Sequence, residues 1–154
     1  MMKGIQDYYP DHFGQCYGCG RLNEHGYQLK TAWDGEETLT RFTPSAYHTA
    51  IPGSVYGGLL ASLIDCHGTG SAALALAKEK GIQLEGFNAP RCVTGSLQVS
   101  YKKPTPIDST LEIRGIIKEV KGKKVVVEIR LLSKGEVCVT GEVIAIQVPD
   151  DFGK

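Results

Sequence analysis

The longest apolar segment of the chain lies between Val55 and Ala77, and its pattern is helical: the run Gly57-Gly58-Leu59-Leu60-Ala61-Ser62-Leu63-Ile64-Asp65 opens it. A lysine and a glycine at Lys80-Gly81 suit a helix stop. The segment is apolar nearly all round, which predicts a helix enclosed by other structure, since a solvent-facing one would show a polar stripe. From Arg91 the period changes to two: Val93, Gly95, Leu97, Val99 and Tyr101 alternate with Thr94, Ser96, Gln98 and Ser100. Pro104-Thr105-Pro106 ends that strand. Three more strands are predicted over residues 110–120, 124–132 and 136–148, with tight turns at Lys121-Gly122 and Lys134-Gly135, and these three read as an antiparallel meander. Ahead of the helix, residues 28–32 and 38–42 form two short strands joined at Asp34-Gly35, a dipeptide suited to a hairpin turn. The fold class is α+β, a curved antiparallel sheet around one long central helix.

Residues 7–26 are rich in Gly, Tyr, Cys and His without periodicity. Residues 1–27 are accordingly expected to be an irregular cap, 28–148 a single domain and 149–154 a tail. A length of 154 residues with 42% hydrophobic and 22% charged positions suits one domain with a sizeable core. Seventeen basic and seventeen acidic side chains cancel. No overall field therefore steers the protein to nucleic acid or to an anionic membrane, and neither partner is expected. The first residues show no apolar core followed by a small-residue cleavage site, and the five cysteines are odd in number, which together suggest a reducing, cytoplasmic setting. Asp65, His67 and Thr69 interrupt the apolar run and disfavour a membrane span.

Asp65 is the residue hardest to explain as structure, because a buried unpaired carboxylate costs several kcal/mol. Its neighbours three and four positions away are Ala61, Ser62, Gly68 and Thr69, all small or hydroxylated, so that face leaves room for a substrate or a second chain. The opposite face carries Leu60, Leu63, Ile64 and Leu74. A plainer account makes Asp65 a buried carboxylate bonded to backbone or to Thr69. Gly57 and Gly58 at the helix start could bring free N–H groups and the helix dipole to a developing oxyanion, or could simply allow close packing.

The string from His48 to Asp65, with Gly57-Gly58 eight and seven residues before the carboxylate, resembles the helix entry of hotdog-fold thioesterases of the PaaI-like and acyl-CoA thioesterase superfamily. The strand Val93-Thr94-Gly95-Ser96-Leu97-Gln98-Val99-Ser100-Tyr101-Lys102-Lys103-Pro104 and the leader Cys16-Tyr17-Gly18-Cys19-Gly20 with Asn23 and Gly26 extend the likeness over residues 16–147. The resemblance implies a hotdog fold, an acyl-CoA substrate and a homo-oligomer, a dimer or a dimer of dimers. It also implies that the Gly57 amide binds the thioester oxygen, that Asp65 is general base or nucleophile with its partners drawn from two subunits, and that Thr94 orients it. No cofactor and no metal are expected. Two positions depart from the commoner pattern: Tyr56 stands where many relatives have His, and Ala50 where some have Asn. Tyr56 can offer a hydroxyl to the leaving group, and Tyr56, Gly58 and His48 are candidate substrate contacts, although His48 near a turn also fits a structural role.

Cys16-x-x-Cys19 could be half of a zinc site, but it would have to recruit both His12 and His25; packing of a small loop over the site is the preferred reading. Cys66, Cys92 and Cys138 read as small core residues. Lys102, Lys103, Lys121, Lys123 and Lys124 fit solvated strand ends, and some of them, with Arg91, could meet coenzyme A phosphates. A non-catalytic acyl-CoA binding or sensing protein is the competing function. A hydratase is disfavoured, because His67 lies two residues after Asp65 and so on another helix face.

Overall fold

The computed structural model describes residues 3–154. Its six strands are β1 (Ala32–Asp34), β2 (Glu37–Phe42), β3 (Cys92–Tyr101), β4 (Leu111–Lys121), β5 (Lys124–Ser133) and β6 (Glu136–Gln147), and its one α-helix is α1 (Gly57–Glu79). The helix stops as its sequence requires. Gly81 adopts φ 66°, Ile82 donates to the Ala77 carbonyl at 2.8 Å and Gly81 to that of Lys78 at 3.2 Å, which closes a Schellman turn. By length and composition α1 could cross a membrane, yet it is largely covered: Leu60, Leu63, Ile64 and Leu74 are all buried, and the sheet wraps around it. An all-round apolar helix inside a curved antiparallel sheet is the hotdog arrangement.

The strands are antiparallel in the order β1-β2-β4-β5-β6-β3. One expectation is met here and one corrected. β4, β5 and β6 form the expected antiparallel meander, and β3 pairs with β6 and becomes an edge of the sheet. Such a choice among antiparallel neighbours leaves no trace in a period-two pattern. The first strand lies at 32–34, not 28–32, because Gln28 takes a positive φ of 51° and the backbone from Gln28 to Thr31 packs on the N-terminal segment instead. The hairpin at Asp34-Gly35 is present, with Gly35 at φ 67°. Residues of the leader reach the main core, to which Cys19 and Leu29 belong.

A buried polar chain crosses the interface between α1 and β2. His67 is fully buried, with Nδ1 2.7 Å from Thr40 Oγ1 and Nε2 3.0 Å from Thr38 Oγ1. Thr38 continues to Ser71 at 2.7 Å, and Thr40 continues through Thr31 to Gln6. Gly115 makes room for the imidazole, since a Cβ there would lie 2.8 Å from Nε2.

Candidate active site

Asp65 sits in the third turn of α1, and it is half-buried rather than buried as its apolar context suggested. The Thr94 hydroxyl donates a short hydrogen bond to Asp65 Oδ1. A bulge makes this contact possible. The β3–β6 register runs Thr94↔Ala145 and then Ser96↔Ile144, so Gly95 is the extra residue and the strand turns at Thr94. The plainer expectation for Asp65 fails at its own helix: Thr69 bonds the Cys66 carbonyl, not the carboxylate. The small-residue face is open only in part. Ala61, Ser62 and Asp65 are partly exposed, whereas Thr69 is buried and Gly68 is seated on Val143 so closely that a Cβ would collide with it.

Gly57 and Gly58 occupy the first two helical positions, where backbone N–H groups have no partner within the helix. The exposed ring of Tyr56 lies against Gly58, where any Cβ would clash with it. Tyr101, which sequence reasoning left as one more strand residue, donates its hydroxyl to the Gly57 carbonyl at 2.7 Å. It thereby ties the end of β3 to the start of α1. Only the tertiary structure could show this, because 44 residues separate the two positions.

His48 holds the loop before the helix. Its Nδ1 accepts the Ser45 N–H at 2.9 Å, its carbonyl accepts the Tyr56 N–H at 2.9 Å, and Tyr27, Phe42 and Tyr47 surround its ring. Arg91 does not join the surface lysines: its guanidinium lies over the Tyr9 ring at 5.0 Å and donates to the Cys92 carbonyl. Neither histidine named beside Cys16 and Cys19 approaches them as a ligand. His12 bonds the Asp150 carbonyl at 2.7 Å, and His25 is exposed next to Glu24. Instead Cys66, one residue past Asp65 on α1, faces the two leader cysteines. Hydrogen bonds from the Cys19 and Cys66 thiols, with the Cys19 and Gly18 amides, hold the Cys16 thiol below its ordinary range despite burial. The proton stays on its neighbours, and Cys19 is pushed up to about 12.

A half-buried carboxylate aligned by a hydroxyl, on an enclosed helix that begins with two glycines, defines a hotdog protein with a candidate hydrolytic carboxylate. The comparisons with known proteins agree with that class. The Thioesterase superfamily profile matches residues 52–140, and the chain belongs to this family. A thioesterase superfamily protein from Shewanella loihica is 48% identical, with TM-score 0.65, over 82% of this chain and 96% of its own. The E. coli PaaI protein shares the fold at 13% identity and TM-score 0.63, over 80% of this chain and 81% of its own. Mouse acyl-coenzyme A thioesterase THEM4 is 27% identical over 116 residues, 75% of this chain, which spans 44% of that protein's length.

Proposed function

We propose that this protein hydrolyses acyl-CoA thioesters in sites shared between two copies of the chain, with Asp65 as general base or nucleophile. The observation that carries the reading is the Thr94–Asp65 contact at an open face of an otherwise enclosed helix. Thr94 fixes one carboxylate oxygen, and Oδ2 either removes a proton from water as that water attacks the thioester carbon or attacks that carbon itself. The carbonyl electron pair moves to oxygen and meets the Gly57 N–H; its return breaks the C–S bond, and the coenzyme A sulfur leaves to be protonated. A direct attack gives an anhydride that water then opens.

Geometry within one chain supports the two-copy site. Gly57 and Asp65 are eight residues apart on α1, which is about 12 Å along the axis. One C=O bond cannot meet both. A second chain must bring its Gly57 to the first chain's Asp65, and β3 is placed to allow it: it is a ten-residue edge strand with Val93, Leu97 and Tyr101 exposed. Unpaired edges and exposed apolar side chains are the features that pairing removes. Light scattering at micromolar concentration is expected to give a dimer or a dimer of dimers. A fully active monomer would overturn the shared site.

Tyr56 tests the enzyme against the sensor reading. Tyr56 is exposed with its hydroxyl against Gly58, and if that hydroxyl meets the thioester, Tyr56→Phe should remove one neutral hydrogen bond, about 0.5–1.5 kcal/mol, and lower kcat/KM roughly two- to tenfold. Tight acyl-CoA binding without turnover in the wild type, with turnover gained in Tyr56→His, would make the protein a sensor. A thiol-release assay across aromatic, short-chain and medium-chain acyl-CoAs reads both the activity and the acyl preference.

A further inference from the structure

We infer that Cys16, Cys19 and Cys66 form a binding site for one thiophilic divalent cation, Zn2+, with the fourth coordination position left to a non-protein ligand. This goes beyond thioester hydrolysis and departs from the absence of metal expected from the sequence. The three sulfurs lie within 4.8 Å of one another, and Cys16 Sγ and Cys66 Sγ are 3.9 Å apart. Tetrahedral zinc with bonds of about 2.3 Å sets its sulfurs roughly 3.8 Å apart, so the cluster needs only a small contraction.

The surroundings are built for it. Cys16 and Cys19 belong to a tight turn in which the Gly20 N–H reaches the Cys16 carbonyl at 2.7 Å, and the amides of Gly18 and Cys19 face the Cys16 sulfur. Gly18 is where a side chain would strike the Cys66 sulfur, so its missing Cβ lets the turn close on the helix. Three thiolates and a divalent cation carry one net negative charge. Arg91 lies within electrostatic reach of all three sulfurs and balances it. No histidine or carboxylate completes the set among the described residues. Cys16 and Arg91 also line a surface cleft of about 220 Å3, which gives the fourth position a way in. Three protein ligands with one open place is the arrangement of an exchangeable site rather than a closed structural one.

The test uses the full chain, purified under reducing conditions, stripped with a chelator and shown by thiol titration to have five free cysteines. Titration with Zn2+ against a chromophoric chelator should give one ion per chain, and Co2+ should give an intense thiolate charge-transfer band. Cys16→Ser and Cys19→Ser should each weaken Zn2+ binding at least about a hundredfold and abolish the band, while Cys138→Ser, outside the cluster, leaves both unchanged. Cys16 is partly exposed, so circular dichroism can show that the fold is kept in Cys16→Ser even if a variant of the buried Cys19 or Cys66 fails to fold. Absence of the Co2+ band, sub-stoichiometric Zn2+ uptake by the reduced wild type, or unchanged affinity in a Cys16→Ser/Cys19→Ser double variant would overturn the site.

Discussion

Asp65→Asn should lower acyl-CoA hydrolysis by at least roughly a hundredfold while leaving the fold and the oligomer intact. The substitution keeps shape and keeps an oxygen to accept the Thr94 hydroxyl, but removes the charge that makes Oδ2 a base or nucleophile. The site is half-open, so the amide is not forced into an apolar interior and stability should change little. Steady-state kinetics on a variant with unchanged melting temperature is the measurement. A near-normal rate in the folded variant would remove Asp65 from the chemistry.

The second large effect is on stability. Burial pushes the His67 imidazole down to about 3 from an ordinary value of 6.5, and its contacts, Thr38 and Thr40, are hydroxyls that need no charge. The unfolded chain takes up a proton below pH 6.5, whereas the folded one refuses it until about pH 3. The stability associated with neutral His67 is therefore fully present above pH 6.5 and is lost as the pH falls from there towards 3. The difference is on the order of 5 kcal/mol across that window. Urea unfolding at pH 7 and pH 4 should show the loss, and His67→Gln, less stable at pH 7, should show a shallower pH slope. An imidazole that titrates near its ordinary value in the folded protein, by NMR, would contradict this. Because His67 lies two residues from Asp65, opening of this network would also disturb the turn that carries the carboxylate.

The elements of the fold were legible because they rest on local rules. The apolar run from Gly57, the stop at Gly81 and the period-two strands are written in residue order, and glycine or Asp-Gly marks the hairpins. Asp65 was legible for a related reason, as a charge that nothing local explains. The shift of β1 was not: positive φ at Gln28 is chosen by packing of the N-terminal segment, and glutamine does not advertise it.

What the sequence by itself determined is one enclosed helix, its ends, most strand positions and a carboxylate eight residues after a glycine. What only the tertiary structure decided is which long-range partners meet. The pairing of β3 with β6, the bulge that aims Thr94 at Asp65, the tie from Tyr101 to Gly57 and the meeting of Cys66 with Cys16 all join residues far apart in the chain. Periodicity reports which face of an element is apolar. It carries no information on which neighbour covers that face, because burial is non-directional and many partners satisfy it equally. The cysteines show the consequence: Cys66 reads as a core residue along the helix, and only the turn at Gly18 folding onto that helix brings it to the other two thiols.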